Sequence, residues 1–175
     1  MNLEPLIIRA LRQATVDVFS TMLGTQLDEG EASLENGTPE ANDGVVSFIG
    51  LAGSWAGTGS VTCSPTLACR ICSQMLLCES TSVNEEVLDA VAELTNMIIG
   101  SVKTELEQQL GPLGLSIPTV VFGRNFRTKS AGTSEWIVLK FHWEGEVLLA
   151  KLCLAPSERA HAHPHAAGQS CALDL

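Results

Sequence analysis

The spacing of hydrophobic residues separates helical from extended segments along the chain. Apolar residues recur at intervals of three or four from Leu3 to Leu23, and Gly24 follows them, so a first helix is predicted there. A second helix is predicted to begin at Ser64-Pro65 and to run to Leu77 or Cys78. Ser is a favoured capping residue, and Pro fits the first helical turn because its missing N–H has no partner there.

The longest helical pattern extends from Val83 to Leu110. The sequence Ser82-x-x-Glu85 fits a capping box at its start, and Gly111-Pro112 ends it. Apolar residues cover most of its circumference, and the remaining residues follow each other at steps of four or three, which places them along one side of the helix. We call them the stripe: Asp89, Glu93, Asn96, Gly100, Lys103 and Glu107.

Runs rich in β-branched and aromatic residues predict strands. Gly44–Gly50 and Trp55–Cys63 are expected to form a hairpin with a turn at Gly53-Ser54. Further strands are predicted over 117–123, 134–143 and 146–154, with Glu144-Gly145 as a tight turn between the last two.

The remaining segments show no periodicity. Residues 25–43 are polar and are predicted to form a mobile surface loop, and residues 156–175 are predicted to be a disordered tail. The order α-β-β-α-α-β-β-β then predicts one α+β domain over residues 1–155, with an antiparallel β-sheet packed against long helices.

Composition limits the classes of partner. The chain has 175 residues, 45% of them hydrophobic, which suffices for a buried core. Its net charge of −10 argues against binding nucleic acid or anionic membranes. No apolar run is long enough to span a bilayer. The first residues, with Glu4 ahead of any basic residue, do not resemble a signal peptide, so a cytoplasmic location is expected.

The six cysteines and the clustered histidines each have two interpretations. Cys69-x-x-Cys72 invites a zinc or redox site, but both residues lie in a predicted helix among apolar neighbours, which favours buried, reduced thiols. His161, His163 and His165 alternate as in a weak metal site, and a solvated tail is the simpler interpretation. We therefore expect no metal site in this chain.

Glu93 and Asn96 lie one turn apart on the stripe and are its candidate functional pair. By spacing alone, such a pair usually belongs to a solvated helix face. Gly100 is unusual, because glycine inside a helix costs about 1 kcal/mol relative to alanine. Either another protein approaches closely there, or the domain's own strands pack against it.

The segment from Asp89 to Gly100 reads DAVAELTNMIIG and resembles the D-x3-E-x2-N-x3-G helix signature of the CheX and CheC phosphatases. The preceding hairpin, the Ser64-Pro65 helix and the later segment with Pro118 resemble the same family, so the similarity extends over roughly residues 3 to 154. The first helix lacks a second Glu-x-x-Asn, whereas CheC-like members carry two such helices. CheX is therefore the closer match.

The resemblance implies an enzyme that hydrolyses the aspartyl phosphate of a CheY-type receiver. Asn96 would orient the attacking water, and Glu93 would pair with the receiver's active-site lysine. Asp89, Gly100 and Lys103 would support docking. The chain itself would bind no cofactor, since the receiver would bring Mg²⁺. A homodimer formed through β-strands is likewise implied by the resemblance. The alternatives are a non-catalytic receiver-binding module and a purely structural dimerisation domain of the same fold.

Overall fold

The computed structural model describes residues 3–36, 41–127 and 135–157. Within these ranges an antiparallel sheet carries helices on one face, as the apolar patterns require. In chain order the elements are α1 Glu4–Met22, β1 Asp28–Asn36, β2 Ala41–Gly53, β3 Trp55–Cys63, α2 Pro65–Leu76, α3 Glu85–Leu110, β4 Leu113–Leu115, β5 Thr119–Arg127, β6 Glu135–Trp143 and β7 Glu146–Pro156.

The sheet has the strand order β1-β6-β7-β3-β2-β4, and β5 also pairs with β2. Every pairing is antiparallel. The predicted α+β class and antiparallel sheet are confirmed, and all eight predicted elements occur in the predicted order. Glu144 and Gly145, both with positive φ, form the predicted turn between β6 and β7.

The prediction of a loop over residues 25–43 was wrong. β1 (Asp28–Asn36) pairs with β6, and β2 already begins at Ala41; residues 37–40 lie outside the described ranges. β1 is an edge strand with almost every side chain exposed, so it needs no alternation of apolar residues. Its backbone pairing and contacts such as the 3.0 Å ion pair between Glu35 and Lys151 hold it in place.

Two further boundaries differ from the prediction. α3 begins at Glu85, and its cap is Asn84, whose side-chain oxygen accepts a hydrogen bond from the Val87 amide at 3.0 Å, so the capping box at Ser82 was wrong. The short strand β4 was not predicted. By contrast, the Ser64 cap of α2 is confirmed, since its hydroxyl accepts from the Leu67 amide at 3.0 Å.

Helix α3 lies at the centre of the helical layer, with contacts to α1, α2, β2 and β3. Leu94, Ile98 and Ile99 on its inner side are fully buried. Gly59 of β3 lets the helix approach the sheet: a Cβ at this glycine would stand only 2.6 Å from the Ile99 Cδ1. Close packing against the sheet therefore fixes the position of the helix that carries the stripe.

The described chain ends just beyond β7. Pro156 is the last residue of that strand, one residue past the predicted domain end, and the Ser157 amide donates to the Ser54 carbonyl at 3.0 Å. Residues 158–175, which include the rest of the predicted tail and its three histidines, lie outside the described residues. None of the described helices is both long and apolar enough to cross a membrane.

Candidate active site

Glu93 and Asn96 lie on the outward side of α3, as their spacing predicts. The Glu93 side chain is exposed and Asn96 is half-buried. Across the described ranges, neither the Glu93 carboxylate nor the Asn96 amide takes part in a hydrogen bond or an ion pair. Both polar groups are therefore available to a molecule that approaches the helix from outside.

The residues between and beside this pair fix its position. Leu94 is fully buried, and the buried Thr95 hydroxyl donates to the Val91 carbonyl at 2.8 Å. Because these side chains anchor the same turn of α3, the backbone under Glu93 and Asn96 is held by core packing. The two functional groups differ from these anchors in that Glu93 is exposed, Asn96 is only half-buried, and neither makes a hydrogen bond within the described ranges.

Gly100, one turn beyond Asn96, has open space above it. A Cβ at Gly100 would meet only the Leu115 Cδ1, at 3.9 Å, which is an ordinary van der Waals distance. The domain's own strands therefore do not require glycine at this position. The geometry therefore does not support packing of the domain's own strands as the explanation for Gly100. The other explanation is close approach by another protein.

Lys103 is engaged within its own helix. Its ammonium group pairs with the Glu107 carboxylate at 2.9 Å, and the other Glu107 oxygen accepts from the Leu113 amide at 2.8 Å. The Leu113 hydrogen bond, followed by that from Lys103, lowers the pKa of Glu107. Asp89, Glu93, Asn96 and Gly100 thus share one outer face, whereas Lys103 and Glu107 join α3 to β4.

The neighbours of the stripe on β4 could not be found from the sequence pattern. Leu115 lies beside Gly100, although it follows on another element after Gly111-Pro112. The short Leu-Gly-Leu run of β4 is too small to produce a periodic signal. The only hint was the position of this run directly behind the end of the longest helix.

The cysteines lie apart from the stripe. Cys63, Cys69, Cys72 and Cys153 are buried, Cys78 is exposed, and all five are free; Cys171 lies outside the described ranges. Burial raises the pKa of Cys63 to about 12 and also raises the pKa of Cys69. The prediction that Cys69 and Cys72 are buried is confirmed. In the described part of the chain, no group of His, Cys, Asp and Glu side chains is arranged to hold a metal.

The stripe lies on the outer face of α3, away from the cleft beside α2. A cleft of about 420 Å³ lies between α2 and the segment before α3, lined by residues such as Arg70 and Ser82, and no stripe residue lines it. A small substrate needs a concave site to bury it. An exposed carboxylate and amide on a rigid helix instead suit a macromolecular substrate whose own surface completes the site.

Comparison with known proteins agrees with this geometry. The model of the chemotaxis phosphatase CheX family matches residues 45–142, a segment that contains the whole stripe. The CheY-P phosphatase CheX of Thermotoga maritima is 29% identical over 127 residues, which cover 72% of this chain and 81% of that protein.

Solved structures share the fold. A CheC-like superfamily protein from Shewanella sp. PV-4 superposes with a TM-score of 0.77 at 28% identity, covering 89% of this chain and 99% of that one. The CheX–CheY–BeF3–Mg²⁺ complex from Borrelia burgdorferi gives a TM-score of 0.72 at 23% identity, covering 85% and 97% of the two chains. At that identity the second similarity supports the fold alone.

Proposed function

The chain belongs to the CheX family of chemotaxis phosphatases, and from that premise we propose that it hydrolyses the aspartyl phosphate of a CheY-type receiver through Asn96 and Glu93. The observation that carries the proposal is the pair itself. Both side chains stand on a helix fixed by buried neighbours, point outward and are unpaired within the described ranges. A site on the outer face of a helix fits a protein substrate that brings the reacting group to it.

Asn96 is the catalytic residue of this proposal. Its amide carries both an acceptor oxygen and donor hydrogens, so it can hold a water molecule in line with the phosphorus atom without becoming a base. The water oxygen forms a bond to phosphorus while the bond between phosphorus and the receiver's aspartyl oxygen breaks. Inorganic phosphate leaves, and the receiver's carboxylate is restored.

Glu93 supplies the electrostatic contact. An exposed carboxylate one turn from Asn96 is placed to receive the receiver's lysine in a charge-assisted hydrogen bond, which sets the register of the two proteins. We assign the Mg²⁺ to the receiver, where it would neutralise charge on the phosphoryl group. The CheX complex from Borrelia burgdorferi, which contains CheY, BeF3 and Mg²⁺, supports this assignment.

The other candidate residues have supporting roles in the proposal. Asp89 is exposed on the outer face one turn before Glu93, and Gly100 leaves room for the receiver's backbone one turn after Asn96. Lys103 contributes least, because its ammonium group is held by Glu107. Its part would be to keep the end of the stripe in place.

A single assay tests the function. A panel of CheY-type receivers is phosphorylated with phosphoramidate in Mg²⁺, and phosphate release is followed with wild type, Asn96→Ala and Glu93→Gln. Asn96→Ala should lower kcat by about 10²- to 10³-fold, the range for removal of one group that acts on the transition state. Glu93→Gln should mainly raise KM. Gln108→Ala, which removes another exposed amide from α3, is the control and should act like wild type.

The possible outcomes separate the rival functions. If wild type accelerates dephosphorylation of none of the receivers, the enzyme assignment is wrong. Binding of a BeF3-loaded receiver without hydrolysis would identify a binding module in its place. Full activity in Asn96→Ala would be consistent with the phosphatase function but would refute the role of Asn96.

The proposal includes a homodimer formed through the edge of β5. Among the described strands, β1, β4 and β5 each pair with a single neighbour, and β4 has only three residues. β1 carries several carboxylates, and their like charges oppose its pairing with a second copy of itself. β5 has the apolar Val121 and the half-exposed Phe122 along its length, which favour association. Sedimentation should give a dimer for wild type and a monomer for Phe122→Asp, with Leu34→Asp on β1 as the control that remains dimeric.

We place the protein in the cytoplasm, where its receiver would be phosphorylated. The five described cysteines are all free, as expected for a reducing compartment. Fractionation of cells that produce the chain should recover it with the receiver, and recovery from an exported fraction would contradict this location.

A further inference from the structure

Strand β4 runs alongside the end of the stripe in the opposite direction. The Leu113 amide donates to Glu107 at 2.8 Å. Two residues on, the Leu115 Cδ1 lies 3.9 Å from the position of a Cβ on Gly100. As the residue number rises along β4, its contacts on α3 move back towards the helix N-terminus. At about 3.3 Å per extended residue and 1.5 Å per helical residue, the same direction followed for two more residues would bring Ile117 to the level of Asn96.

The apolar side chains on this path become steadily more exposed. Leu113 is 4% exposed, Leu115 is half-buried, and Ile117 is 85% exposed. Leu113 and Leu115 pack on the domain, whereas Ile117 extends beyond it. A branched aliphatic side chain with that exposure stabilises nothing within the described residues. A single exposed apolar residue is common on protein surfaces, so its meaning depends on how it is held.

The backbone at Ile117 is tightly restrained. The Ser116 amide donates to the Gly50 carbonyl at 2.9 Å, and the Gly50 amide donates to the Ser116 hydroxyl at 2.9 Å. That hydroxyl in turn donates to the Ile117 carbonyl at 2.9 Å, and Pro118 restricts the backbone of Ile117 to extended conformations. An exposed apolar side chain on a fixed backbone loses little entropy when a partner covers it.

We propose that Ile117 is a docking residue for the phosphorylated receiver and determines which receivers bind well. The inference rests on the proposed function, because it takes the stripe to be the surface that the receiver contacts. A receiver seated over Glu93 and Asn96 also reaches the end of the β4 path, since the two are joined through Leu115 and Gly100. The receiver then covers the exposed Ile117 side chain. Its contribution is to binding, while Asn96 acts on the reacting water.

The test measures binding and turnover separately. Ile117→Ala and wild type are compared on the receiver that wild type dephosphorylates fastest, with kcat and KM from phosphate release. Kd is measured for the same receiver loaded with BeF3 and Mg²⁺. KM and Kd should both rise about tenfold, as expected when a buried aliphatic side chain is lost, and kcat should stay within about twofold. Tm should change little, because Ile117 is 85% exposed.

Val147→Ala is the matched control. Val147 is a half-exposed β-branched residue on β7, and its neighbour Leu148 points into the core, so Val147 faces the side of the sheet away from α3. This variant should leave KM and Kd unchanged. An equal rise in both variants would mean a general loss of stability and would overturn the specific role of Ile117.

The outcomes for Ile117 and for the proposed function can be told apart. Hydrolysis by wild type with unchanged KM and Kd in Ile117→Ala would refute the docking role and leave the phosphatase standing. In a second outcome, wild type binds the BeF3-loaded receiver tightly but does not hydrolyse the phosphorylated one, and Ile117→Ala weakens the binding. That result would refute the phosphatase function and support the docking role of Ile117. Neither binding nor hydrolysis by wild type would overturn both.

Discussion

The Glu107 carboxylate accepts a hydrogen bond from the Leu113 amide at 2.8 Å and so joins the last turn of α3 to the first residue of β4. Its second oxygen receives the Lys103 ammonium group at 2.9 Å. One ionised side chain therefore holds together the end of the stripe and the path that leads to Ile117. The strength of this junction depends on pH, because only the carboxylate form accepts both contacts fully.

Glu107 should stabilise the fold at neutral pH and lose that effect in acid. The Leu113 and Lys103 contacts lower its folded-state pKa below the ordinary value of 4.5. Its contribution is therefore complete above about pH 4.5 and is lost as the pH falls through the folded-state pKa. At pH 7, Glu107→Gln should lower Tm by a small amount, on the order of one to three degrees. The difference from wild type should shrink in acid.

Thermal unfolding of wild type and Glu107→Gln between pH 3 and 7 measures this effect. Glu105→Gln is the control, because Glu105 on the same helix forms an exposed ion pair with Arg9 and accepts no backbone amide. A gap between wild type and Glu107→Gln that stayed constant over the whole pH range would rule out the charge of Glu107 as its cause.

Gly100→Ala should make the protein more stable and less active. Alanine in a helix is favoured over glycine by about 1 kcal/mol, and the added methyl group meets only Leu115 at an ordinary distance. The free energy of unfolding should rise by about 0.5–1 kcal/mol. If the receiver's backbone lies over Gly100, kcat/KM should nevertheless fall, by roughly tenfold.

Urea unfolding and phosphate release on the same preparations check this prediction. Ser101→Ala is the neighbouring control: Ser101 is exposed on α3, and its hydroxyl donates only to the Met97 carbonyl at 3.0 Å. It should keep full activity. Wild-type activity in Gly100→Ala would show that no partner approaches the helix closely at this turn.

Cys78 should be the reactive thiol of the described chain. Cys63 has its pKa raised to about 12, so roughly one molecule in ten thousand carries its thiolate at pH 8. Cys78 is exposed at the end of α2. In a Cys171→Ser background, iodoacetamide at pH 8 should modify Cys78 and leave Cys63 intact, as read by peptide mass spectrometry. Modification of Cys63 in the folded protein would mean that its strand opens on the labelling timescale.

The parts of the fold that could be predicted are those whose signal is local. The helical spacing of apolar residues in α3 and the apolar residues of the β2–β3 hairpin both come from side chains that face the core. β1 could not be predicted, because an exposed edge strand is stabilised by its pairing with β6 and not by its own residues. Asn84 was missed as the cap of α3 because Ser82 is an equally good capping residue. Only the backbone conformation decides between them.

The candidate site divides in the same way. Helical spacing was sufficient to put Glu93 and Asn96 on one outer face. Their freedom from intrachain partners, the engagement of Lys103 and the open space above Gly100 depend on contacts with other elements. The nearness of Leu115 to Gly100 depends on the path of β4, which no pattern within a short window of sequence contains.

The separation between anchors and functional groups on α3 has a consequence for signalling. Because the Asn96 amide makes no hydrogen bond within the described ranges, and the buried Leu94 and Thr95 anchor this turn of the helix, Asn96→Ala should leave a folded protein that still occupies the receiver. If Asn96→Ala is produced together with the wild type, it should compete for the phosphorylated receiver without hydrolysing it. The phosphorylated receiver, and the response it causes, should then last longer. The lifetime of the signal can thus be altered by changes on one helix face without any loss of folded protein.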